Sequence, residues 1–515
     1  MKGCLYRVFS LSCVLALLGG DVLARDNYSS GYDETDVWEH ESYANNAGRG
    51  SGYGGGYSSN SNNGFLNKET KEEDYYPFIK SKGRIEDKNV IGIRLFGDKV
   101  VLLGGDGENR EYSEGQNQQS DFSDFDFFSK YPRLLSVEFC NMKLTRDVLQ
   151  NVQKFLPKTV RSLIINTCYI STKDFEELTD IISGHEQLIS VTAILPRLAQ
   201  AETEQLIKSI GDLNNTKFLN LTLGELGEGG CTVLKEVLEK SEKTLLGLNL
   251  GFMKVAEGDS YNDLLGSLGK LKNLNKLEYS VLESTENQIG RFFSSLAKLE
   301  KLTDLKLCFD DFDSHDGVES YHNAECLNEA MKNLVALENL DISNMKLPDS
   351  SLQTISKAMK DLTKLKTLNI SGDPVSVKTA KVLAESLSKM ENLVTFVANN
   401  CEMTGDAFSA LCGGLRNNSS LKCMSVSGNK IEGSVKSLPV SQMKNLSVLN
   451  VAYNNIKLPD IVGFMKTIPS ETNLEVISWK GNNFEGLSEE ERIAEADSLK
   501  IWKRQNRVNT LDLGI

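Results

Sequence analysis

The chain is poor in the residues that do chemistry. Of 515 residues only four are histidine (His40, His185, His315, His322), and none stands in a zinc-protease or nucleophile–base signature. The ten cysteines include no Cys-x-x-Cys pair and no histidine at zinc spacing, so no metal site is expected. Gly104-Gly-Asp-Gly107 lacks the Lys-Ser/Thr that would complete a phosphate-cradling loop, and no other cofactor signature occurs. No stretch approaches the ~20 consecutive apolar residues of a membrane-spanning helix. Positive charge is also short, with 57 Lys and Arg against 71 Asp and Glu and a formal net charge of -14. That balance argues against non-specific binding to nucleic acid, which needs a positive footprint to release phosphate counterions. What remains is a non-enzyme of ordinary soluble composition, 40% apolar and 25% charged.

Lys2 and Arg7 precede an apolar run from Val8 to Leu18 and the end Val22-Leu23-Ala24, the three-part form of a secretory signal over residues 1–24. Residues 25–85 contain Arg49-Gly-Ser-Gly-Tyr-Gly-Gly-Gly-Tyr57 and bury too little to offset ordering entropy, so they read as a low-complexity tether. Within residues 86–133 two apolar runs, Asn89–Phe96 and Lys99–Leu103, flank Gly97-Asp98 and read as a hairpin able to cap the N-terminal end of a repeat array. An acidic stretch with Phe122, Phe125, Phe127 and Phe128 comes next.

From residue 134 to 515 one pattern recurs, an apolar residue followed at three and five places by two more, as in Leu365-Lys-Thr-Leu368-Asn-Ile370. Its first positions are Leu134, Val160, Leu188, Phe218, Leu245, Leu274, Leu302, Leu337, Leu365, Leu393, Leu421, Leu446, Leu474 and Val508. Period-two alternation predicts a short strand in each copy, and helical spacing between copies, as in Leu352, Ile355, Met359 and Leu362, predicts a helix. Leu421-Lys-Cys-Met424-Ser-Val426-Ser-Gly-Asn429-Lys-Ile431 and Leu446-Ser-Val-Leu449-Asn-Val451-Ala-Tyr-Asn454-Asn-Ile456 resemble leucine-rich repeats of the ribonuclease-inhibitor-like subclass. The resemblance implies an α/β solenoid, a horseshoe with an inner parallel β-sheet, outer helices and about 14 repeats. It also implies a ladder in which Asn429, Asn454 and Asn482 bond neighbouring backbone. Cys168, Cys401, Asp310 and Asp373 can substitute, whereas Met142, Leu226, Met253, Leu282 and Met345 cannot.

Side chains between the inward positions should line the concave face. The candidate partner-binding residues are apolar in the first half (Ile164, Ile194, Leu195, Phe252, Val281, Phe309) and polar in the second (Asn369, Asn399, Asn400, Asn450, Tyr453). A protein partner and a covering segment of the chain itself are both compatible with the apolar set. Asp310-Asp-Phe-Asp313-Ser-His315-Asp316 offers oxygens for calcium but lacks the glycine and terminal glutamate of an EF-hand loop, and reads as a solvated insertion. The expectation is an exported, non-catalytic scaffold for a macromolecular partner, such as a secreted effector of a host-associated microbe. A self-assembling surface protein or adhesin is the alternative; a ligase-like enzyme has no room for a catalytic domain.

Overall fold

The computed structural model describes residues 90–96, 99–104, 109–113, 128, 131–309, 319–345, 347–416, 418–469, 473–483 and 510–512, with isolated positions between 490 and 497. The expected signal, the tether, Phe122, Phe125 and Phe127, and the 310–316 aspartate cluster lie outside the described residues. The chain divides into two units, residues 1–198 with 212–222, and residues 199–211 with 223–515. Both are built from repeated β/α units, and the parallel-sheet solenoid read from the sequence is what the structure shows.

In the first unit, strand β1 (Val90–Phe96) pairs antiparallel with β2 (Lys99–Gly104), which pairs with β3 (Asn109–Ser113). Strand β1 also runs parallel to β4 (Ser136–Cys140), with Ile93 opposite Val137 and Leu95 opposite Phe139. Val90, Ile93 and Leu95 therefore occupy the three pattern positions, and the repeat begins 44 residues earlier than the spacing count suggests. A small parallel pair comes next, β5 (Lys143–Leu144) with β7 (Tyr169–Ile170). The main sheet continues through β6 (Ser162–Asn166) and β8 (Ser190–Leu195) into the start of β9 (Phe218–Leu226). Backbone bonds from Lys217 N and Phe218 N to Ile189 O correct one register. Thr216, buried, takes the first pattern position in place of Phe218. Phe218 misled the count because Leu219, Leu221 and Leu223 all share one parity, so the apolar pattern fits two frames.

The second unit carries β10 (Gly247–Val255), β11 (Lys276–Glu283), β12 (Asp304–Phe309), β13 (Asn339–Asp341), β14 (Thr367–Asn369), β15 (Thr395–Val397), β16 (Cys423–Ser425), β17 (Val448–Asn450), β18 (Val476–Ser478) and β19 (Thr510–Asp512), each parallel to the next. Between strands run helices of 8–13 residues, such as Asp349–Met359, whose Leu352, Ile355 and Met359 are buried as their spacing predicts. Glu432–Ser437 is a 3-10 turn instead, in the shortest interval of the array. With 25 residues to the next strand pattern and Pro439 just beyond, a full α-helix does not fit there.

Backbone polar groups past each strand are satisfied in two ways. Strands β10 and β11 are nine and eight residues long and simply continue their ladder, from Gly247 opposite Lys276 to Lys254 opposite Glu283. Met253 and Leu282 thus sit inside strands, where no side-chain ladder is needed. Strands β13 to β18 are three residues long, and the chain then turns. There Asn429 Nδ2 donates to Ala398 O, Val426 O and Ser427 O, while its Oδ1 accepts from Cys401 N and Met403 N. One unit on, Asn454 Nδ2 donates to Val426 O, Val451 O and Ala452 O while its Oδ1 accepts no bond among the described residues, and two units on Asn482 repeats both halves, donating to Val451 O and Trp479 O and accepting from Asn454 N and Ile456 N. Cys401 and, in the first unit, Cys168 donate through sulfur, and Asp373 accepts from Leu347 N.

The turn also requires one left-handed residue. Asn344, Gly372, Asn400, Gly428, Tyr453 and Gly481 occupy it in successive repeats, with φ of 57°, 86°, 55°, 71°, 54° and 68°. Glycine and side-chain-bearing residues alternate for a steric reason. A Cβ on Gly372, Gly428 or Gly481 would overlap Asn344, Asn400 or Tyr453 of the preceding repeat.

Candidate functional site

Strand parity divides every repeat into a helix-packed face and a helix-free face. Leu277, Tyr279 and Val281 share one side of β11, and Leu305, Leu307 and Phe309 the same side of β12. The Tyr279 ring stacks on Phe292 of helix Glu286–Leu296 at 4.0 Å, and Phe309 packs edge-on against Phe292 and Phe293 at 6.0 Å. The Tyr279 and Tyr261 hydroxyls satisfy each other at 2.8 Å inside this apolar layer, and burial raises both phenol pKa values.

Four of the candidate residues therefore change sides. Phe252, Val281 and Phe309 are 3%, 1% and 1% exposed and face the helices, as does Leu195 in the first unit. The physical reason is that strand alternation runs on beyond the pattern. A residue seven places after the first position has the parity of the leucines at three and five, so it enters the core wherever the strand does not turn. Ile164 and Ile194 do lie on the helix-free face of the first unit, beside Thr192 and Asn166, and each is only 8% exposed. The same face carries the Arg94–Glu138 ion pair at 2.6 Å, with Cys140 Sγ donating to Glu138 at 3.1 Å.

The polar candidates of the second unit are on or beside the helix-free face, and much of their hydrogen-bonding capacity is used internally. Asn369 Oδ1 accepts from Ser371 N and Oγ, Asn399 Oδ1 from Ser425 Oγ and Ser427 N, and Asn450 Oδ1 from Ala452 N. These bonds fix the strand ends. Asn400 is exposed and Tyr453 half-buried, both held at the left-handed turn position.

The candidates read from sequence missed the most charged part of this face. Strands β11 to β13 place Lys276, Glu278, Asp304, Lys306, Asn339 and Asp341 on it, at two and four places after each first position. Lys306 Nζ meets Glu278 at 2.8 Å, Lys276 lies 3.8 Å from Asp304, and Asn339 Nδ2 donates to Asp304 Oδ1 at 2.8 Å. Asp341 Oδ1 accepts from Ser343 N and Oγ at 3.0 and 2.6 Å. Four charged side chains thus stand in two compensating pairs, and the fifth, Asp341, is held by Ser343, all pre-positioned by the strands that carry them. The offsets that located the asparagines would have found them, because the period is the same.

Nothing in this arrangement resembles a reaction centre. Among the described residues no group of three or more His, Cys, Asp or Glu is placed to hold a metal ion, and no helix is long and apolar enough to cross a membrane. All eight described cysteines are free thiols. Burial pushes those of Cys168 and Cys401 up to about 12, the opposite of an activated nucleophile.

Neither a protein-family model nor a curated protein matches the sequence. Solved structures are similar at low identity. An internalin from Listeria monocytogenes is 16% identical over 72% of this chain and 85% of its own, with a TM-score of 0.40. TLR13 in its complex with ssRNA13 is 15% identical over 76% and 59%, with a TM-score of 0.36. The Rad7 and Elc1 complex of yeast gives 16% over 66% and 82%, with a TM-score of 0.40.

Proposed function

We propose that this chain is a non-catalytic protein-recognition scaffold, a leucine-rich-repeat protein of the ribonuclease-inhibitor-like subclass, that reads a polypeptide partner on the helix-free face of β11 to β14. The carrying observation is the half-exposed set Lys276, Glu278, Asp304, Lys306 and Asp341, both signs of charge held on strands that the core fixes. Paired charges of this kind give a partner orientation and an association rate more than raw affinity. Asn369, Asn399, Asn400, Asn450 and Tyr453 extend the surface with little net charge. The subclass is supported by the 28-residue step and by a helix of 8–13 residues in most units. Export is supported by the Lys2, Arg7 and Val8–Leu18 pattern, which makes a secreted or cell-surface setting the natural one.

The reading is tested by affinity capture with wild type and a Lys306→Glu, Asp341→Lys variant, whose melting temperatures should agree within about 1 or 2 °C on the scale of surface substitutions. Loss of a protein retained by the wild type is expected. Identical retention by the two would remove this face from the function.

A further inference from the structure

The loops that lead from each helix to the next strand form one edge of the second unit, and that edge has a charge of its own. Among the described residues, nine such loops, within 241–246, 269–275, 297–303, 332–338, 360–366, 388–394, 416–422, 438–447 and 466–475, hold fourteen Lys and Arg against six Asp and Glu. Among the described residues, the strand-to-helix loops of the other edge hold two Lys (Lys430, Lys457) against three acids (Glu257, Asp373, Glu402). All fourteen cations are exposed. A protein of net charge -14 therefore presents a basic border through nine consecutive repeats of this unit.

Complementing helix dipoles accounts for part of it. Lys272 Nζ donates to Lys298 O at 2.7 Å, a carbonyl just past the end of helix Glu286–Leu296. Lys364, Lys422 and Lys444 stand five or more residues past the preceding helix or turn, where that field has decayed. The edge is also rigid. Asn273, Asn392, Asn445 and Asn473 each donate from Nδ2 to a backbone carbonyl of the preceding loop, Lys243 O, Thr363 O, Ser419 O and Lys444 O, a second asparagine ladder that sets the spacing of the lysines.

We propose that this edge docks on an anionic lipid surface. Three observations select lipid over other polyanions. Thirteen of the fourteen cations are lysine, a point charge suited to a diffuse negative plane, whereas recognition of individual phosphates favours the arginine fork. The nine loops contain no Phe, Tyr or Trp on which bases could stack. Val335, 49% exposed and one of three exposed large apolar side chains among the described residues, lies on this edge beside Lys332. Docking through the edge leaves the helix-free face open to a partner.

Cosedimentation of the full chain with vesicles of phosphatidylcholine, alone or mixed with phosphatidylserine, at low and high salt, decides it. Binding to the mixed vesicles alone, falling with salt, is expected. A Lys360→Gln, Lys364→Gln, Lys389→Gln variant should bind about a hundredfold more weakly, at about fivefold per lysine. A Lys430→Gln, Lys457→Gln variant on the opposite edge should bind as wild type, and the Trp479 unfolding signal of both should be unchanged. Absence of binding at low salt, equal binding to neutral vesicles, equal loss in the two variants, or tighter retention of a sulfated polysaccharide or single-stranded oligonucleotide than of the vesicles would overturn the proposal.

Discussion

Replacing Gly428 with alanine perturbs one atom in the column of left-handed turns, and the consequence can be worked out. Gly428 has φ of 71°, which costs a non-glycine residue about 1–2 kcal/mol. The added Cβ would also overlap the Asn400 carboxamide, with Asn400 Cγ only 2.9 Å away. Asn400 is itself left-handed and its backbone N–H bonds Ser427 O at 2.8 Å, so it yields only by turning its side chain out. Overpacking of this kind costs about 1–3 kcal/mol, for a total of about 2–5 kcal/mol. That corresponds to a fall in melting temperature of roughly 4–20 °C for a cooperative block of some 200 residues. Urea unfolding followed by Trp479, which is fully buried 51 residues on, reports it. Adding Asn400→Gly should restore the overlap part and leave the backbone part, a coupling of about 1–3 kcal/mol. A neutral Gly428→Ala, or a double variant no more stable than the single, would refute the steric reason given for the alternation.

The side-chain ladder makes a reciprocal prediction. Asn429→Asp sets a carboxylate against three carbonyls and should cost about 3 kcal/mol or more, while Asp373→Asn supplies a donor at the equivalent rung and should add about 1 kcal/mol, both read by chemical denaturation. Phe309→Ala should cost about 3–5 kcal/mol through loss of the Tyr279, Phe292 and Phe293 contacts, whereas truncating half-exposed Lys306 should stay within about 0.5 kcal/mol. Buried thiols predict an alkaline loss of stability. Cys168 and Cys401 ionise only near 12 when folded but near 8.5 when unfolded, so unfolding releases protons and stability falls as pH rises above about 8.5. Serine at both positions should flatten that slope in a melting-temperature series. At the acid end, burial lowers the His185 pKa, so its contribution is present above the ordinary value of 6.5 and is lost as pH falls below it; His185→Gln should remove that component.

The repeat was legible because burial and spacing come from the same leucines. Wherever Leu-x-x-Leu-x-Leu occurs, the strand, its partner and the next helix are set, and only Phe218 in place of Thr216 shifted a frame. Val90, Ile93 and Leu95 escaped the count because two antiparallel strands intervene before the next copy, and an interval of 44 residues breaks the rhythm. The face assignments were less legible, since they depend on where each strand stops. At Asn369 the three-residue strand turns, whereas at Phe252 a nine-residue strand carries the side chain into the core. The cue was present in the ladder residues. Asparagine at 429, 454 and 482 marks a turn, and Met253 and Leu282 at the same place mark a strand that continues. The charged set on β11 to β13 went unread for a different reason. Apolar and amide residues draw attention on a sheet, while Lys306 and Asp304 look like ordinary surface until the strand parity puts them side by side.

Cysteine-accessibility scanning along β12, in a Cys308→Ser background, tests the alternation of faces on which both the core and the proposed binding surface depend. Asp304→Cys and Lys306→Cys should be alkylated quickly in the folded protein, and Leu305→Cys, Leu307→Cys and Phe309→Cys only at the rate of unfolding. Labelling of Phe309→Cys as fast as Lys306→Cys, in a protein that still melts cooperatively, would contradict it.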